Sequence, residues 1–155
     1  MAPSSFSIHT PVDWVIHQGR KGSLTFPIAR LRVQVLLRTG LLAQPFRPEW
    51  CWLDTGAPLS VIPFHVHSQG LPWQCFPASS TIWAGQPCDL GQIEIWLTVP
   101  NQATTYGPVS LLAKFARSDP PGPRVPVLLG LQFLLAYQAA LSLLPPAQQS
   151  LLSFP

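Results

Sequence analysis

A chain of 155 residues suits a single domain, and a hydrophobic share of 47% supplies enough apolar surface for a packed core. Only 10% of residues are charged, which leaves an unusually apolar surface and favours burying part of it against a second subunit. The basic residues behind the net charge of +3 are spread along the chain and not clustered among aromatics, so nucleic acid is not an expected partner.

Nineteen prolines argue against long helices and for short strands joined by turns, which makes the expected class mostly β. Residues 1–22 read as a loosely held N-terminal arm with an early turn. From Ser23 to Leu42 runs the first strong β signal, in which Leu31–Leu37 (LRVQVLL) alternates and then becomes continuously apolar. Gln44–Glu49, with two prolines, reads as a turn. Trp50–Leu53 (WCWL) can only be a short buried strand, and it ends at a tight-turn composition, Asp54-Thr55-Gly56-Ala57-Pro58. Ser60–Ile62 resumes an apolar strand that Pro63 stops, with a short helix expected over Pro63–Gln69. Thr81–Trp83 and Gln92–Val99 read as strands around a glycine-containing connection, AGQPCDLG, and the alternation of QIEIWLTV leaves one face wet. Val109–Phe115 is a further strand and Arg117–Arg124 (RSDPPGPR) a surface loop. Val125–Leu129 reads as a buried strand, Gly130 as its turn, and Leu131–Leu144 as an apolar helix. The domain is thus expected over residues 23–145, with 146–155 a tail too short for an element of its own.

Val127–Leu144 carries no charge and is about long enough to span a bilayer. Gly130, Gln132 and Gln138 interrupt it, Pro126 and Pro145 bracket it, and no basic flank anchors it, so a membrane is not an expected partner. The first residues lack a basic region followed by an apolar one, and the three cysteines, Cys51, Cys75 and Cys88, form no C-x-x-C pair. Cys51 reads as a small buried hydrophobe, and a Cys75–Cys88 bridge stays open. The expectation is a reducing, cytoplasmic setting.

The carboxylates are Asp13, Glu49, Asp54, Asp89, Glu94 and Asp119. Five lie in loops or on alternating strand faces, where a solvated charge is the ordinary reading. Asp54 follows WCWL with no polar spacer, so the chain delivers a carboxylate from the end of a buried strand, which is costly unless it is hydrogen-bonded or used. Taken alone, these residues favour an aspartate that caps its own turn through the amides of Thr55 and Gly56. His65 and His67 share one side of a strand but lack a third ligand, so no metal is expected. Ser60 has no G-x-S-x-G frame, Cys51 with a histidine has no supporting motif, and no phosphate-binding glycine loop is present.

With its flanks, WCWLDTGAPLSVIP (residues 50–63) resembles the catalytic loop of retropepsin-like aspartic proteases. Downstream, VPVLLGLQFL (Val125–Leu134) resembles that family's apolar strand ending in glycine and followed by a short helix. The two motifs stand in the family's order, and the resemblance covers roughly residues 25 to 145. It implies a small closed β-barrel with one short C-terminal helix, acting as an aspartic endopeptidase on extended peptides. Such chemistry needs two carboxylates about 3 Å apart sharing one proton. With one Asp-Thr-Gly per chain, a homodimer must set Asp54 against Asp54 of its twin. Thr55 would hydrogen-bond across the axis, Gly56 would let backbone amides reach the carboxylates, and Ala57 matches the retroviral form. Gly130 would let its strand pass close behind the loop. A flap is expected at Ile82–Gln86, with Trp83, Ala84 and Gly85 at its tip, although Trp83 suits an ordinary core equally. No metal or organic cofactor is implied. Leu131 and Gln132 depart from the retroviral pattern, which has arginine and then asparagine or aspartate. Two rival expectations follow: a non-cleaving binding or dimerisation module of the same fold, and a small membrane-associated protein.

Overall fold

The computed structural model describes residues 6–38, 47–68, 74–99 and 101–155. Its elements, in chain order, are β1 (Ile8–Pro11), β2 (Asp13–Lys21), β3 (Leu24–Arg38), β4 (Arg47–Leu53), β5 (Ser60–Ile62), α1 (Phe64–His67), β6 (Gln74–Trp83), β7 (Gln86–Thr98), β8 (Thr105–Ala116), β9 (Leu128–Leu129), α2 (Leu131–Ala136), β10 (Ala140–Leu144) and β11 (Gln149–Phe154). The mostly β expectation holds.

Eight strands form one sheet in the order β2-β3-β4-β9-β5-β8-β7-β6, and β3 pairs with β7 as well. That extra pairing (Val35 to Leu97, Leu37 to Ile95) returns the sheet to its start. Strands β3, β4, β9, β5, β8 and β7 therefore make a ring, with β2 and β6 outside it. The β4–β9 and β5–β8 pairings are parallel, so the two short strands flanking the Asp54 loop are each tied to a distant segment.

The ring closes because its strands alternate. Val33, Val35 and Leu37 on β3, Ile93, Ile95 and Leu97 on β7, and Leu111, Ala113 and Phe115 on β8 are buried at every second position and fill the interior. Ile62, Leu129 and Phe133 close the same core beneath the Asp54 loop.

Several local expectations are corrected. Residues 8–21 of the expected arm are two strands: Ile8 pairs with Phe154, and Asp13–Lys21 pairs along Leu24–Arg32. The expected tail contributes β11, the middle strand of a second sheet ordered β1-β11-β10. The apolar helix stops at Tyr137 and does not run to Leu144. Gln138 adopts a left-handed conformation (φ 51°), and the Ala139 N–H donates back to the Leu134 carbonyl at 2.8 Å, a Schellman-type ending. Residues 140–144 then gain a ladder with β11. Val125–Leu129 narrows to a strand of two residues, Leu128 and Leu129. The AGQPCDLG connection shrinks to a two-residue turn, Ala84-Gly85, both at positive φ, and the rest joins β7. The short helix expected over Pro63–Gln69 is present as α1, and a 3-10 turn over Pro145–Ala147 joins β10 to β11. Of the expected turn at Gln44–Glu49, residues 44–46 lie outside the described residues and Arg47–Glu49 belong to β4; Gln69, the expected end of α1, is also outside them. Among the described residues no helix is long and apolar enough to cross a membrane. Cys51 and Cys88 are buried free thiols.

Tyr137 anchors the end of α2. Its hydroxyl donates to the Tyr106 carbonyl (2.7 Å) and accepts from the Leu97 N–H (3.0 Å), while its ring meets Phe133 and Phe154. The helix that backs the Asp54 loop is thereby fixed to β7, β8 and the terminal sheet.

Candidate active site

Asp54 stands one residue past the end of β4, half-buried. Its backbone N–H donates to the Leu129 carbonyl at 2.9 Å, continuing the β4–β9 pairing into the loop. Its carbonyl accepts from the Ala57 N–H at 3.1 Å, which closes a four-residue turn over Thr55 and Gly56. The Gly56 N–H donates to Asp54 Oδ1 at 3.1 Å. The turn-capping reading is thus met by Gly56, and the same bond fixes one carboxylate oxygen while the turn holds the group at the sheet's end.

Glycine at position 56 has a steric reason. A Cβ there would stand 3.3 Å from Asp54 Oδ1, tighter than nine in ten real Cβ contacts. Thr55 and Gly56 are exposed and Ala57 half-buried.

The loop is held from behind by the start of α2. The Leu131 N–H donates to the Ala57 carbonyl (2.7 Å) and the Gln132 N–H to the Pro58 carbonyl (3.2 Å). Two of the amide donors that a helix start leaves without intrahelical partners are thereby satisfied by the loop itself. So close an approach requires glycine at 130. A Cβ there would lie 2.6 Å from the carbonyl oxygens of both Ala57 and Leu59. Gly130 is buried and extended (φ −83°, ψ −174°), so the need is for space and not for an unusual backbone. The seam between loop and helix, lined by Leu53, Asp54, Thr55, Leu129, Leu131 and Leu134, is too tight to hold a water molecule.

Two bracing residues escaped the sequence reading. Ser60 is fully buried and its Oγ accepts from the Gly130 N–H at 3.3 Å. Gln132, noted only as a departure, accepts from the Leu112 N–H through Oε1 at 2.9 Å, linking α2 to β8. No motif marks either residue; only their partners, 70 and 20 residues away, give them a role.

Trp83, Ala84 and Gly85 lie at the end of the β6–β7 hairpin, with Trp83 half-buried and Ala84 and Gly85 exposed. Ile82 beside them is 66% exposed, and Lys114 Nζ donates to its carbonyl at 2.9 Å, tying the hairpin to β8.

The other chemistry is occupied structurally. His65 Nδ1 lies 3.0 Å from Asp119 Oδ2, and His67 Nε2 lies 2.7 Å from the Ala116 carbonyl. Among the described residues no three His, Cys, Asp or Glu side chains gather into a metal-binding group. Burial pushes the Cys51 thiol well above its ordinary pKa, with a smaller push from Glu49, so it is no thiolate nucleophile.

No protein-family model and no curated protein sequence matches this chain. Among solved structures it is similar to EIAV protease complexed with the inhibitor HBY-793, at 19% identity and a TM-score of 0.43, covering 74% of this chain and 93% of that one. It is also similar to a retropepsin-like aspartic protease from Rickettsia conorii, at 10% identity and a TM-score of 0.46, covering 92% of this chain and 96% of that one.

Proposed function

We propose that the protein is an aspartic endopeptidase that works as a homodimer, with Asp54 of each protomer forming one half of a catalytic dyad. The observation that carries this reading is the mounting of the Asp54 loop. An Asp-Thr-Gly turn hangs from β9 by the Asp54 N–H and is clamped from behind by the first amides of α2 across Gly130. A solvated surface aspartate needs no such mounting. A carboxylate that must meet a twin at about 3 Å does.

In this reading one carboxylate of the pair is ionised and takes a proton from the attacking water. The other is protonated and donates to the substrate carbonyl oxygen as the tetrahedral centre forms. Like charges at that distance repel strongly, so the pair holds one proton between them. Gly56 N–H holds one oxygen of each carboxylate in place. Thr55 at the loop's exposed tip is available to the second protomer, and the β6–β7 hairpin tip at Trp83–Gly85 would close over the peptide as the flap. The substrate is an extended peptide with apolar residues at the scissile bond.

The test is cleavage of a broad peptide library by the purified protein across acid and neutral pH, with oligomeric state measured in parallel. Wild type should cut and Asp54→Asn should not, while remaining folded, because asparagine retains an oxygen to accept from Gly56 N–H. Cleavage that persists in a clean Asp54→Asn preparation eliminates the mechanism. A stable dimer that cuts nothing points instead to a non-cleaving module of the same fold.

A further inference from the structure

The outer face of β3 and β4, beside the Asp54 loop, carries cations and indoles in register. Arg32 pairs with Trp52 and Gln34 with Trp50 across the ladder. The Arg32 guanidinium carbon lies 4.4 Å from the Trp50 ring centroid, and that of Arg30 lies 5.0 Å from the Trp52 centroid. His17, from β2, meets the same Trp52 ring edge-on at 5.7 Å.

The two arginines differ in one respect. Arg32 faces Asp13, with Nε 3.4 Å from the carboxylate. Arg30 is exposed and has no carboxylate partner among the described residues. The ladder places it near the site: Leu31 pairs with Leu53 in the last rung, so Arg30 and Asp54 are the residues on either strand that come just beyond that rung. Trp52 lies in β4 and Asp54 is the first residue beyond it, so the two are at most roughly 6.6 Å apart along the chain. The Arg30 side chain leans back over Trp52, where the indole face holds the planar guanidinium with its donors unspent.

We infer that Arg30, braced on Trp52 and flanked by His17, is a carboxylate-binding subsite that selects peptides with an acidic side chain close to the scissile bond. The inference rests on the proposed endopeptidase reading and names its substrate class. An extended peptide lying over Asp54 advances roughly 3.3 Å per residue, so the side chain that meets Arg30 stands about one to three residues from the bond that is cut. A guanidinium offers a carboxylate two parallel N–H donors, and stacking on Trp52 removes much of the conformational entropy that such a bond would otherwise lose. Single-stranded nucleic acid fits the face less well, because the arginines already cover the indole rings on which bases would stack.

The test uses two fluorescent peptide pools with an apolar centre, identical except for glutamate or glutamine at the positions flanking it. Binding is read by anisotropy on the full-length Asp54→Asn protein, and cleavage on wild type. Glutamate peptides should bind about tenfold more tightly and be cut with correspondingly higher kcat/KM. Arg30→Gln should abolish that preference while glutamine peptides are handled as before. Arg30→Lys, which keeps the charge and loses the fork, should retain a small part of it. Arg124→Gln removes the same charge from an exposed loop and should change nothing, which separates a local contact from net charge. Equal binding of the two pools by the parent protein, or a glutamate preference that survives Arg30→Gln, overturns the subsite. So does a single-stranded oligonucleotide that binds through Arg30 while the pools remain indistinguishable. If neither pool is cut but the Arg30-dependent binding preference is present, the endopeptidase reading fails and the subsite stands.

Discussion

Gly130→Ala isolates the close approach on which the Asp54 loop depends. The backbone at 130 is extended, so alanine meets no conformational penalty there, and its loss of freedom in the unfolded chain would favour folding by about 0.4–1 kcal/mol. Everything adverse must come from the methyl group. It would lie 2.6 Å from two carbonyl oxygens and 2.7 Å from the Leu59 carbonyl carbon, whereas real Cβ atoms essentially never come under 3.0 Å. All three are backbone atoms, so no side chain can swing aside. The loop and α2 must separate by about half an ångström, at an overpacking cost of roughly 1–3 kcal/mol. That separation also strains the bonds from Leu131 N–H and Gln132 N–H to the loop, each worth about 0.5–1.5 kcal/mol. The net destabilisation is about 2–4 kcal/mol, equivalent to a Tm lower by about 5–12 °C in a chain of this length. Urea unfolding with an unchanged m-value measures it directly. Gly85→Ala is the informative control. That glycine has open space around it but a φ of +73°, so its cost of about 1 kcal/mol is conformational and leaves the Asp54 loop untouched. A Gly130→Ala protein within 0.5 kcal/mol of wild type would show that the loop gives way freely, and the mounting argument would fall with it.

Two further predictions concern the supports around the site. Tyr137→Phe leaves the Leu97 N–H and the Tyr106 carbonyl without their partner and should cost about 1–3 kcal/mol by urea titration. Burial pushes the Tyr137 hydroxyl up to about 12, partly offset by its bond from Leu97, so the folded state keeps a proton that the unfolded state releases near 10. Its contribution is therefore intact below pH 10 and lost as pH rises toward 12; the phenylalanine variant should lack that alkaline loss. His67 behaves in the opposite direction. Burial lowers its pKa below 6.5, against smaller raising effects from the Ala116 carbonyl bond and from Asp119 and Asp89, while His65 adds a small lowering. The unfolded chain therefore takes up the proton first, and stability falls as pH drops below 6.5 until the folded-state pKa is passed. Because Nε2 donates to the Ala116 carbonyl, His67→Gln can keep that bond without titrating, and its stability curve should be flatter across this acid window. An unaltered slope would remove His67 from the account.

What could be read from the sequence was local. Alternation along Leu31–Leu37 and Gln92–Val99 fixed which side chains point inward before any partner was known, and burial follows it residue by residue. The Asp54 loop stood out because a carboxylate follows an apolar strand without a spacer, and Gly130 because its flanks completed a second motif. What escaped was non-local. Ile8 finds Phe154, and Leu141 finds Leu152, through ladders that leave no mark on either segment alone. Leu131–Leu144 is uncharged and mostly apolar, and such a run does not say whether it coils or extends. The choice was made at Gln138, whose left-handed backbone ends the helix and frees the next residues to pair with β11. Ser60 and Gln132 were unreadable for the same reason, since each matters only through a backbone amide far along the chain.

The distribution of hydrogen bonds around Asp54 fits the proposal that one chain supplies half a site. Its backbone is bonded at both ends, its neighbours Ala57 and Pro58 are bonded to α2, and α2 is bonded through Gln132 to β8 and through Tyr137 to β7 and β8. Among the described residues the carboxylate itself receives one bond, from Gly56 N–H to Oδ1. A structural aspartate has the reverse economy, with its oxygens saturated and its backbone ordinary. Here the bonds gather in the backbone of the loop, and among the described residues only Oδ1 of the carboxylate is bonded. Such an arrangement fits the proposed dimer, in which each carboxylate meets its twin, and Leu131 and Leu135 on α2 are apolar side chains left exposed that a second protomer could cover.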